Sequence, residues 1–89
     1  MNIYYLFTFE STHLAIQTER SLKATLAVTM IPTPRELTAS CGLSLRVQES
    51  DFNAAKAILC GDSFEGIHLY RVERIDDGPR SYVAVEWGC

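Results

Sequence analysis

Residues 2–9, "NIYYLFTF", are apolar or aromatic at nearly every position and show little alternation. A strand wetted on one face alternates with a period of two. A run that does not alternate suits a strand covered on at least one face and flanked by neighbours on both edges. The first strand of this chain is therefore expected to lie inside a sheet, so later strands must come to both sides of it.

The rest of the chain supplies those neighbours. In "ESTHLAIQTERSLKATL", Ser11 or Thr12 can cap a helix. Ala15, Leu22 and Leu26 then fall on one face with Leu14 and Thr18 beside them, and Glu19 lies on or near that face. "AVTMI" (27–31) is a short strand ended by Pro32 and Pro34, since proline has no N–H to give to a ladder. "LSLRV" (43–47) alternates, with Leu43, Leu45 and Val47 pointing one way. Ser50 or Asp51 is placed to cap a second helix, "FNAAKAILC", whose stripe is Phe52, Ala55, Ile58 and Leu59 and whose end is Gly61. "IHLYRVERI" is a strand in which Val72 is out of phase with Ile67 and Leu69, which suggests a bulge. "DDGP" (76–79) is turn chemistry, and "SYVAVEW" is a final strand with Val83, Val85 and Trp87 on one face. The order β-α-β-β-α-β-β predicts one α+β domain over residues 1–89. It is a two-layer sandwich, ferredoxin-like βαββαβ, with an extra C-terminal strand added by a hairpin.

Charge and composition remove whole classes of function. The net charge is −3 and the eight Lys and Arg residues form no run, so no face is basic enough for nucleic-acid binding. No apolar stretch approaches the ~20 residues of a membrane span. The N-terminus has neither a basic lead nor a small-residue cleavage site, and reads as a strand. Three cysteines, Cys41, Cys60 and Cys89, cannot all pair within one chain, which favours free thiols in a reducing cytoplasm. No Cys/His spacing suits zinc, the two histidines, His13 and His68, stand far apart, and neither metal nor cofactor is expected. No Ser-His-Asp set, phosphate loop or carboxylate pair is present.

What remains is the loop "PTPRELTASCG", residues 32–42. The thiolate is the reactive form of cysteine, so a working thiol needs groups that favour negative charge. Arg35 is a nearby cation, Thr38 and Ser40 carry hydroxyls, and Gly42 lets backbone N–H groups approach. Pro32 and Pro34 restrict the loop, and Glu19 is a partner for Arg35. The alternative is plain: a cysteine before a strand is a small apolar residue that is often simply buried. Cys60 reads as filler in the last helical turn. Cys89 is either a resolving thiol for Cys41 or a frayed end.

"FTFESTHLAIQTERSL", "IPTPRELTASCGLSLRV" and "ESDFNAAKAIL" together resemble the selenium/sulfur carrier-like family of small bacterial proteins. The similarity spans roughly residues 4–60, with "PTPRELTASCG" its most specific part, and "FES" and Glu19 also fit. The resemblance implies that Cys41 carries sulfur or selenium as a persulfide or perselenide, with Pro32, Pro34, Arg35, Ser40 and Gly42 shaping its site. It implies donor and acceptor proteins as partners. The terminal "WGC" is not part of the pattern. A carrier needs an exposed thiolate and little else, which suits so short a chain better than a full enzyme. Two other readings stand beside it. One is a non-catalytic binding or regulatory module, dimeric through an edge strand or the Trp87 tail. The other is a thiol-disulfide protein using Cys41 and Cys89.

Overall fold

The computed structural model describes residues 2–37, 41–59 and 66–86. Its elements are β1 (Asn2–Phe9), α1 (Thr12–Lys23), β2 (Thr29–Pro32), β3 (Leu43–Gln48), a 3₁₀ turn (Glu49–Asp51), α2 (Phe52–Leu59), β4 (Ile67–Arg74) and β5 (Arg80–Val85). The class is α+β, with two helices and a five-stranded antiparallel sheet ordered β2-β3-β1-β4-β5. The strand with the least alternation is the central one, because both of its edges and both of its faces are covered. Leu6, Phe7 and Phe9 are wholly buried, and Thr8 and Tyr4 nearly so.

The two helices share one face of the sheet, compatible with a two-layer sandwich. Ala15 and Leu22 of α1 and Ala55 and Leu59 of α2 join Phe7, Phe9, Leu45, Val47 and Leu69 in a single apolar cluster. Phe52, at the start of α2, stacks on Tyr5 with ring centroids 3.9 Å apart. Ser11 caps α1, its Oγ accepting from the Leu14 N–H at 3.1 Å. Before α2 the chain makes the 3₁₀ turn first, so Ser50 and Asp51 lie inside that turn and do not act as simple caps. The expected end of α2 at Cys60 and Gly61 falls outside the described residues, as does Trp87 at the end of the last strand.

Two expectations about strands are corrected. β2 begins at Thr29, not at Ala27, and Pro32 ends it as its last residue, opposite Leu43; β2 is an edge strand, where a missing N–H can face outward. No bulge interrupts β4. It pairs with β1 without a break from Phe9↔Ile67 to Asn2↔Arg74. Val72 is out of phase because it serves the opposite face, where it forms a second cluster with Tyr4 and Leu6. Ile31, Tyr82 and Leu37 pack against that cluster, so the segment after β2 covers part of the sheet face that carries no helix. The hairpin to β5 turns through Asp76 at φ 52°, with Gly78 N–H donating to the Ile75 carbonyl at 2.9 Å. At the entry to β4, Gly66 has φ 85°, and a Cβ there would sit 3.0 Å from Leu14 Cδ2. Glycine is required by both the backbone and the space.

Candidate functional site

The end of β1 and the start of α1 converge on Cys41. Because β1 stops at Phe9 and Ser11 caps the helix at once, the first turn of α1 begins beside the sheet's end. Cys41 N–H donates to the Phe9 carbonyl at 3.2 Å, anchoring the cysteine there. Its sulfur then meets two polar groups. Leu43 N–H donates to Sγ at 3.3 Å, and Thr12 Oγ1, in the first residue of α1, lies 3.6 Å from it. Both can donate to a thiolate, and the positive end of a helix favours the same charge.

Thr33 holds the cysteine's backbone from the other side. Its N–H donates to the Gly42 carbonyl at 2.9 Å and its hydroxyl donates to the Cys41 carbonyl at 3.1 Å. With its one hydroxyl proton committed, Thr33 Oγ1 accepts from Ser44 Oγ at 2.7 Å. Ser44 is fully buried, so this pair satisfies a hydroxyl that water cannot reach. Thr12 and Ser44 escape a reading of the loop motif because they come from α1 and β3, whereas Thr33 lies within the motif and was passed over between its two prolines. The alternation of β3 was the available signal, since it places Ser44 on the face opposite Leu45.

The structure separates the other residues named for the loop. The sulfur is not exposed: Cys41 is 3% accessible and belongs to the main apolar cluster. Arg35 makes no hydrogen bond to it and is exposed in the turn closed by Leu37 N–H on the Pro34 carbonyl. Glu19 does not pair with Arg35 but with Lys23, one helical turn on, at 3.4 Å. Gly42 is exposed, and a Cβ there meets no protein atom within 4 Å. Thr38, Ser40, Cys60 and Cys89 lie outside the described residues, and with them the Cys41–Cys89 bridge. Among the described residues Cys41 is a free cysteine, and no group of three or more His, Cys, Asp and Glu is arranged to hold a metal. None of the described helices is long and apolar enough to cross a membrane.

Fold and site together define a small α+β domain built round a cysteine that is buried but furnished with polar donors. The chain belongs to the family described as "Putative Se/S carrier protein-like", whose model matches residues 4–71. The match runs from β1 into β4 and leaves β5 outside. No curated protein and no solved structure matches the chain.

Proposed function

We propose that this protein carries sulfur or selenium on Cys41 between a donor and an acceptor protein. In the transfer, the Cys41 thiolate attacks the outer sulfur of a donor persulfide. The donor's S–S bond breaks, the donor leaves as a thiolate, and Cys41 is left as a persulfide. Attack by an acceptor thiolate on that outer sulfur reverses the exchange, with no net oxidant. A perselenide follows the same route. The observation that carries this reading is the Leu43 N–H on the Cys41 sulfur, in a chain of the Se/S carrier-like family. Thr12 supplies a second donor. Pro32 and Pro34 shape the approach to the cysteine, and Ser40 and Gly42 flank it. The sulfur is buried, so transfer needs the shell round it to open, and docking of the donor is the natural trigger. The strand order supports a ferredoxin-like unit. Each helix joins two parallel strands with an antiparallel one between them, and β5 is added at the edge. A reducing cytoplasm suits the free thiol.

Incubation with a cysteine desulfurase and cysteine, followed by intact mass, tests the proposal. The wild-type chain gains one sulfur atom and Cys41→Ser gains none; an equal gain in both, or none in either, removes the carrier reading. The 3% exposure of Cys41 favours a second reading, a non-catalytic binding module. That reading gains if Cys41 resists alkylation both alone and with the desulfurase present.

A further inference from the structure

The sheet face without helices carries a cleft of about 450 Å³, lined by Tyr4, Arg46, Arg80 and Tyr82 and, along its rim, by residues 31–36. Arg35, Arg46 and Arg80 all border it, half of the six arginines in an otherwise acidic chain. Arg71 is paired with Glu73, and Arg74 lies 3.9 Å from Asp77. None of the cleft's three arginines has an ion-pair partner among the described residues, although Glu36 lines the same space. The Arg46 guanidinium carbon lies over the Tyr4 ring, 4.4 Å from its centre. That cation–π contact steadies the guanidinium, whose N–H groups can still donate to an anion. The Tyr82 hydroxyl is buried, and no partner meets hydrogen-bond geometry for it. A buried hydroxyl, with Glu36 and Arg80 beside it, thus borders a cleft in which positive charge predominates.

We infer that this cleft binds a small phosphoryl-bearing anion, of the phosphate-monoester type. Three guanidiniums against one carboxylate leave a charge of +2, and a phosphate monoester near pH 7 carries about −1.5 to −2. Planar guanidinium forks match phosphate oxygens two at a time. The volume falls within the range of about 300–1,000 Å³ that holds small molecules. Arg80 and Tyr82 come from β5, beyond the family match, while residues 32–35 of its rim belong to the motif that marks the family. It lies across the sheet from the cluster that buries Cys41, and Thr33 touches both. Binding there neither requires nor excludes sulfur transfer.

Titration of the ¹⁵N-labelled chain with adenosine 5′-monophosphate and with inorganic phosphate tests the inference and distinguishes an ester from the free ion. Saturable shifts at the amides of Ile31, Arg46 and Tyr82 are expected with either probe. Arg46→Gln and Arg80→Gln should each weaken binding by about tenfold, the scale of one hydrogen bond to a charged group. Arg20→Gln, on exposed α1, should bind as wild type. Arg46→Lys keeps the charge but not the fork, and should still lose affinity several-fold. The inference is overturned by no saturable shift at millimolar probe, or by arginine variants that bind unchanged. It is also overturned if a glutamate-rich peptide binds where both phosphoryl probes fail.

Discussion

On the helix side of the sheet, Phe7, Phe9, Leu45, Val47 and Leu69 are sealed by two amphipathic helices. On the other side, Tyr4, Leu6 and Val72 are sealed by single side chains: Leu37 from the segment after β2, Ile31 from β2 and Tyr82 from β5. The first face is a core in the ordinary sense, broad and apolar. The second is narrow, and polar groups press on its margin: the Arg46 guanidinium on Tyr4, the Thr33–Ser44 hydroxyl pair, and an unpartnered tyrosine hydroxyl. A sheet covered in this way has one face given to stability and one with room for recognition. The Cys41 sulfur belongs to the first and the arginine cleft to the second.

The sharpest way to break this contrast is to truncate matched neighbours on β1. Phe7→Ala should cost about 3–5 kcal/mol in urea unfolding, because the helices above it cannot collapse into the space. Leu6→Ala should cost less, about 2–3 kcal/mol, because its thinner cover can settle inward. Equal losses would mean that the second cluster is as rigid a core as the first. Thr33→Val should cost about 1–2 kcal/mol, since it strands the buried Ser44 hydroxyl and the Cys41 carbonyl. If Cys41 is alkylated no faster in Thr33→Val than in wild type, Thr33 does not help to hold the cysteine.

The smallest effect concerns Tyr82, and its sign is opposite. Burial, and then the neighbouring Glu36 carboxylate, raise its pKa above the ordinary value of 10.0, with Arg80 working against them. The folded state therefore keeps the proton to higher pH than the unfolded chain does. The associated stability is present below pH 10.0 and is lost as pH rises above it through the raised folded value. Tyr82→Phe should abolish that alkaline loss. At pH 7 it should leave stability unchanged or raise it by up to about 1 kcal/mol, because it removes a buried hydroxyl without a partner. A clear destabilisation at pH 7 would show that the hydroxyl has a partner after all.

Local pattern was enough for the elements with one buried side. Ala15, Thr18 and Leu22 of α1 are the buried positions that its helical period implies, and Leu45 and Val47 follow the alternation of β3. The Ser11 cap and the central place of β1 were legible for the same reason, since each rests on a few consecutive residues. Val72 misled because periodicity detects one buried face, and β4 serves two. Arg35 misled because closeness in sequence to Cys41 is not closeness in space. The strand crossing to Leu43 sends the arginine to the face that carries no helix.

By itself, the order of residues determined the class of fold, the central strand and the helix faces. Those are short-range properties, set by periodicity, capping and turn residues. Only the tertiary structure decided that the Cys41 sulfur is buried beneath the Leu43 N–H and the Thr12 hydroxyl, and that Arg35, Arg46 and Arg80 share a cleft. These groups meet because antiparallel pairing brings distant segments into register, and no local pattern records which side chains end up facing one another across a sheet.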